Sequence, residues 1–133
     1  MSEQDDSLDQ LGCDGLEKSG RSQVALWRAA AKDWGGLDDN QEGRFRRIMQ
    51  MWCEGHKLTP EMYNGNEGRS PGNIMLHAFK AFKIRLYGFV RSVGTIRTFI
   101  VVDIDPAKKR DKADPKILKR AYDRVDQIGK GKK

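Results

Sequence analysis

From Leu76 to Ile104 apolar and polar residues alternate with a period of two, the pattern of strands that each bury one face. Ser92-Val93-Gly94 interrupts the run, so the sequence predicts one antiparallel hairpin with that tripeptide as its loop. Arg91 then faces Thr95, and the register brings Val90 to Ile96, Leu86 to Ile100, Ile84 to Val102 and Phe82 to Ile104, all on one apolar face. The other face pairs Phe89 with Arg97, Tyr87 with Phe99, Arg85 with Val101 and Lys83 with Asp103, with His77 further along. That face is basic and aromatic, and it is the natural candidate for a ligand site.

What precedes and follows the hairpin reads as helix. Val24, Trp27, Ala31 and Trp34 recur at helical spacing behind Ser22, and Gly35-Gly36 ends the run. Asp38 or Asp39 caps a second helix, whose stripe is Phe45, Ile48, Met49 and Trp52, with Arg44, Arg46 and Arg47 mostly off that stripe. Residues 55–73 hold Pro60, Gly65, Gly68, Pro71 and Gly72, a density of turn formers that predicts an extended loop. Asp114-Pro115 supplies an N-cap and a first-turn proline for a last helix with Ile117, Leu118, Ala121, Val125 and Ile128 inward, stopped by Gly129. The predicted fold is α+β: two N-terminal helices packed on a small antiparallel β-sheet with a C-terminal helix, in one domain spanning 22–129. Residues 1–21 are too polar to bury much surface and predict a disordered acidic tail, while 130–133 form a basic one.

Charge is unevenly spread. The chain carries 25 basic and 19 acidic residues, a net charge of +6. Six of the acids (Glu3, Asp5, Asp6, Asp9, Asp14, Glu17) and one base (Lys18) lie in the first twenty positions, leaving 24 basic against 13 acidic residues in the body. Such a body favours a polyanion, because cations that neutralise phosphates release condensed counterions. No apolar run approaches the ~20 residues of a spanning helix, and no leader pattern is visible, so the expectation is a cytoplasmic protein with no membrane partner. Cys13 and Cys53 read as free thiols.

Two groups of residues carry candidate chemistry. Cleavage of RNA through its own 2′-hydroxyl needs a base, cations for the phosphate and an acid for the leaving oxygen, and no metal is obligatory. His77, Lys83, Arg85, Tyr87 and Arg97 supply those types, Arg85 and Arg97 as phosphate forks and Lys83, Tyr87 or His77 in proton transfer or stacking. The competing reading is a solvated sheet face on which Lys83 is tied to Asp103. The second group is Lys108, Lys109, Arg110 and Lys112, continuing into Lys116 and Arg120, which could grip a nucleic-acid backbone. His56, His77 and Cys53 show no metal-ligand spacing, and neither a metal nor another cofactor is expected.

The run Phe79-Lys80-Ala81-Phe82-Lys83-Ile84-Arg85-Leu86-Tyr87-Gly88, then Phe99 to Asp105, then Lys109-Arg110-Asp111-Lys112-Ala113-Asp114-Pro115, resembles the RelE/ParE superfamily of toxins, especially its HigB-like, phage-related branch. The resemblance covers roughly the C-terminal half. It implies an endoribonuclease acting on mRNA at the ribosome, with Lys83, Arg85, Tyr87 and Arg97 at the site and a cognate antitoxin protein covering it. Asp111 and Asp114 stand where the family carries threonines, and some members cut no RNA. The alternative is a non-catalytic nucleic-acid- or protein-binding module, such as a phage-derived inhibitor, that uses the same surface.

Overall fold

The computed structural model describes residues 8–106 and 114–130. Six strands form one sheet: β1 (Cys13–Ser19), β2 (Ser22–Trp27), β3 (Tyr63–Asn64), β4 (His77–Ala81), β5 (Ile84–Val93) and β6 (Ile96–Asp105), in the order β1-β2-β6-β5-β4-β3. Neighbours are antiparallel except β2 and β6, which run parallel. A parallel pair requires a crossover. A 3₁₀ turn (Arg28–Ala30), a short helix α1 (Ala31–Gly35) and α2 (Asp39–Cys53) begin that return, and a final helix α3 (Pro115–Lys130) follows β6.

The α+β class is as the sequence predicts, but the arrangement differs. The sheet is mixed, it has six strands, and helices cover both of its faces. Phe45, Ile48, Met49 and Trp52 of α2 pack on Val24, Leu26, Phe79, Ile84, Leu86, Phe99, Val101 and Ile104. On the other side Ala121, Val125 and Ile128 of α3 pack on Ala25, Ala78, Tyr87, Phe89, Ile100 and Val102. A sheet buried on both faces has no polar face, so alternation in the sequence was a poor guide to which side meets water.

Ser22–Trp27, predicted as the start of a helix, is instead the strand β2. β1 and β6 flank it in the sheet and its two faces lie in the two cores, so five of its six residues, Ser22–Leu26, are buried. Burying Val24 and Leu26 is worth roughly 1.5–3 kcal/mol each, and Gln23 is satisfied by Thr98 Oγ1 at 3.1 Å. The helical spacing of Val24, Trp27, Ala31 and Trp34 spans a strand, a 3₁₀ turn and a helix. Cys13–Ser19 corrects the expectation of a disordered tail over 1–21, because it forms the edge strand β1 through a two-residue Gly20-Arg21 turn. Its acids are held by arginines of the body: Asp14 by Arg28 at 3.2 Å and Glu17 by Arg46 at 2.8 Å. Residues 1–7 and 131–133, the rest of the two predicted tails, lie outside the described residues.

The predicted hairpin is two hairpins. Phe82-Lys83 is itself a turn between β4 and β5, with φ of 53° and 64°. The second turn is Gly94-Thr95 rather than Ser92-Val93-Gly94, so Val93 faces Ile96 and Val90 faces Phe99. This register is three residues away from the predicted one. An odd displacement exchanges faces, so Ile100 and Val102 point to α3 while Ile84 and Leu86 point to α2. Beyond Gly88↔Val101 a bulge shifts the pairing once more, to Tyr87↔Asp103 and Arg85↔Asp105. The two flanking helices follow expectation. Asp38 and Gln41 form a reciprocal capping box at α2, with bonds of 2.8 and 3.1 Å. Asp114 Oδ1 accepts from the Lys116 amide at 2.9 Å at the start of α3.

Candidate functional site

The residues predicted to share one basic face are divided by the sheet. Tyr87 is fully buried beneath α3, and Arg85, on the same side, stands opposite Asp105. Lys83 occupies the β4–β5 turn, and Asp103, its predicted partner, is buried and accepts two bonds from Arg120, Nε to Oδ2 and Nη2 to Oδ1, at 2.7 Å each. Arg97 and His77 lie on the opposite, α2-covered side. Of the second predicted group, Lys116 is exposed in the first turn of α3 and Arg120 holds Asp103, whereas Lys108, Lys109, Arg110 and Lys112 lie outside the described residues.

Arg97 and His77 border one aromatic cluster at the Gly94-Thr95 end of the α2 side. The Arg97 guanidinium lies 3.8 Å from the centroid of the Trp52 ring, a close cation–π contact. Its Nε donates to Ser22 Oγ at 3.2 Å and its Nη2 to the Trp52 carbonyl at 3.3 Å. These bonds leave Nη1 unused on an exposed side chain. Trp52 packs edge-on against Phe99 at 5.9 Å, and Phe99 in turn meets His77 at 6.2 Å and Tyr63 at 6.3 Å. The Tyr63 hydroxyl and His77 Nδ1 are hydrogen-bonded to each other.

Local backbone chemistry builds this cluster. Tyr63 is brought in by the two-residue strand β3, which pairs with Phe79 and Ala78 of β4. His77 stands opposite Gly88, and only glycine fits there. A Cβ at residue 88 would lie 2.1 Å from the Ile100 carbonyl oxygen and 2.4 Å from the Phe99 ring. Phe99 therefore crosses the space a side chain would fill and reaches His77.

Burial sets the protonation of the pair. It lowers the His77 pKa from its usual value, favouring the neutral ring, and raises that of Tyr63, partly offset by the nearby Trp52 side chain and the Arg97 charge. In the tautomer that carries its proton on Nδ1, that N–H donates to the Tyr63 oxygen and Nε2 is left to accept a proton. Beside them Arg97 offers a fixed cation for an oxyanion. Trp52 and Tyr63 are members of the site that the sequence did not single out: Trp52 is the core residue the sequence predicts and also carries Arg97 on its ring, and Tyr63 falls within the predicted extended loop. Within residues 55–73, Tyr63 is the one aromatic residue, which is the signal that could have drawn attention to it.

A separate hollow of about 560 Å³ opens at the far end of the sheet between α1 and α3, with Leu37, Ile84, Ile104 and Ile117 as its apolar lining and Lys32 and Arg120 among its polar residues. None of the described helices is long and apolar enough to cross a membrane. Comparison of the chain with family models, curated proteins and solved structures gives no match.

Proposed function

We propose that this protein binds RNA through the surface around Arg97, Trp52, Tyr63 and His77, and that it is a metal-independent endoribonuclease of the RelE/ParE toxin type acting on ribosome-associated mRNA. The observation that carries the reading is the hydrogen-bonded Tyr63–His77 pair beside an arginine stacked on Trp52. In this reading Arg97 Nη1 holds a phosphate oxygen, the neutral His77 takes the proton of the 2′-hydroxyl as its oxygen bonds to phosphorus, the P–O5′ bond breaks with the leaving oxygen protonated by water, and Tyr63 fixes the imidazole in place. The net charge of +6 supplies general attraction for the polyanion. A cognate antitoxin would be a protein that covers this surface.

A second reading, a binding module without catalysis, is favoured by the burial of Tyr87 under α3. That placement removes one member of the predicted catalytic set and leaves Arg97 and His77 to act with Tyr63 instead.

The test is incubation of the purified protein with ribosomes and translated mRNA in the presence of chelator. Cleavage that His77→Gln abolishes while RNA affinity stays within about 3-fold supports the enzyme. Intact message together with salt-dependent RNA binding that Arg97→Ala weakens, lowering the salt slope by about 1, supports the binder. Absence of both cleavage and RNA binding overturns the proposal.

A further inference from the structure

Strand β5 is longer than its outer neighbour. β4 pairs with Ile84–Gly88 only, and no other strand among the described residues pairs with the outer side of Phe89–Val93. The chain preceding β4 leaves the sheet because it is fastened to α3: Gly72 donates to Asp126 Oδ2 at 3.0 Å, and Tyr122 donates its hydroxyl to the Glu67 carbonyl at 2.6 Å. What remains beside β5 is an open groove, about 480 Å³, lined by Ile74, Phe89, Val90, Arg91, Ser92 and Gly129.

The direction of the main-chain groups along this edge follows from the turn. Gly94-Thr95 is a two-residue hairpin loop, so Val93 and Ile96 exchange hydrogen bonds, as do Arg91 with Thr98 and Phe89 with Ile100. The Arg97 amide confirms the phase, because it points away from β5 and donates to the Arg21 carbonyl at 2.8 Å. Val90 and Ser92, which alternate with the bonded residues, turn their N–H and C=O groups outward. The Ser92 carbonyl is occupied by Arg91 Nε at 3.1 Å, leaving the Val90 N–H and C=O and the Ser92 N–H without a partner among the described residues.

We infer that this edge of β5 is a docking site for an extended acidic peptide segment of a partner protein, which adds a strand beside Val90–Ser92. Unpaired strand edges are templates for strand addition, with main-chain bonds giving affinity and alternate side chains giving specificity. The side chains here define what those alternate positions accept. Phe89 and Ile74 with the bare backbone of Gly129 make an apolar hollow, and a Cβ at residue 129 would come 2.4 Å from Ile74. Arg91, two residues along on the same face, is the one charged residue among the described residues that line the groove, and none of these is an acid. The preferred segment therefore carries a carboxylate opposite Arg91 and an apolar residue two positions away opposite Phe89. Its intervening residues project to the α2 side, where Phe99, the cross-strand partner of Val90, meets His77.

The experiment selects octapeptides from a random displayed library on the full-length protein, then titrates a selected synthetic peptide against isotope-labelled protein. The expected result is enrichment of an acidic-x-apolar pattern, with amide shifts and exchange protection concentrated at Val90 and Ser92. Arg91→Glu should weaken the peptide at least 10-fold. Val90→Pro should do the same while sparing the β5–β6 ladder, since that N–H points outward. Because Val90→Pro could lower stability, a peptide N-methylated at alternate positions provides the same test on unaltered protein, and one of its two registers should lose binding. Selection of basic or patternless peptides, or shifts confined to another surface, overturns the inference. So does sedimentation showing that the edge pairs with a second copy of the chain in preference to peptide.

Discussion

Replacing Gly88 by alanine tests the register, the bulge and the site together. The added methyl would sit 2.1 Å from the Ile100 carbonyl oxygen and 2.4 Å from the Phe99 ring. To regain ordinary contact the two strands must separate by roughly 1 Å, beyond what a ladder hydrogen bond of about 2.9 Å tolerates. Forcing a methyl into a packed interior costs about 1–3 kcal/mol, and weakening one or two ladder bonds adds about 1 kcal/mol each. The expected loss is about 2–5 kcal/mol, a large share of a stability of about 5–15 kcal/mol. Gly43 provides the internal control. It is exposed within α2, and a Cβ there meets nothing within 4 Å, so Gly43→Ala should stabilise the protein by about 0.5–1 kcal/mol. Urea denaturation followed by far-ultraviolet circular dichroism and by tryptophan fluorescence measures both. Fluorescence adds a local readout, because Phe99 packs on Trp52. Should Gly88→Ala unfold within about 0.5 kcal/mol of the parent, Phe99 does not cross residue 88, and the account of how the His77 cluster is assembled is wrong.

Four further outcomes follow from particular contacts. Burial raises the Cys13 and Cys53 thiols to about 11, so at pH 8 a disulfide-exchange reagent should label both about 100-fold more slowly in native than in urea-unfolded protein; equal rates would show that they are accessible. His77 is lowered in the folded state by burial, so the unfolded chain takes up its proton first and stability should fall as pH drops below about 6.5. His77→Gln should flatten that part of the profile, and an unchanged profile would assign the loss to other groups. Arg120→Ala should cost about 2–4 kcal/mol, since Asp103 would stay buried with Arg124 at 3.5 Å as its nearest remaining cation; a double-mutant cycle with Asp103→Asn that shows no coupling would refute the pair. Finally, replacing Phe82-Lys83 by Asn-Gly should stabilise the protein by about 1–2 kcal/mol, because both positions have positive φ, and a loss of stability in thermal melts would mean that the Phe82 side chain makes a contact the turn depends on.

Local signals in the sequence were read correctly where one element decides its own structure. The α2 stripe and its capping box depend on residues three and four apart, and so does the Asp114-Pro115 start of α3. The strands failed where a neighbour decides. Ser22–Trp27 looks helical by spacing, but it is an inner strand between β1 and β6 with a core on each face, a context no six-residue window contains. The turn at Phe82-Lys83 was invisible for a different reason: the conformation asks for Asn and Gly, and the chain supplies Phe and Lys. Without a turn signal there, β4 and β5 read as one strand, whose register is then set only by bringing apolar residues together. Both faces being apolar, a wrong odd shift satisfied the pattern as well as the right one. The site suffered accordingly, for its members come from β6, β4, α2 and a two-residue strand in a loop.

The placement of charge decides where a polyanion could be met. Six acids in the first twenty residues, were they on a free tail, could fold back and screen the basic surface. In the folded chain Asp9 and Asp14 bind Arg28, and Glu17 binds Arg46. Arg46 also donates to the Leu16 carbonyl at 2.8 Å, which holds the bulged edge of β1 against α2. Those acids neutralise arginines on the β1 side of the molecule, and Asp103 does the same for Arg120 and Arg124 on the α3 side. Arg97, by contrast, is held by a hydroxyl, a carbonyl and an indole ring, none of which cancels its charge. A guanidinium fixed by neutral partners is oriented at little cost to its attraction for an anion. Deleting residues 1–20 would consequently remove an edge strand and two arginine anchors, so a change in RNA affinity after that truncation would report on folding. Substituting Asp14 and Glu17 by asparagine and glutamine separates the two effects: loss of stability with unchanged affinity would place these acids in the scaffold, whereas tighter binding at low salt would return them to the screening role.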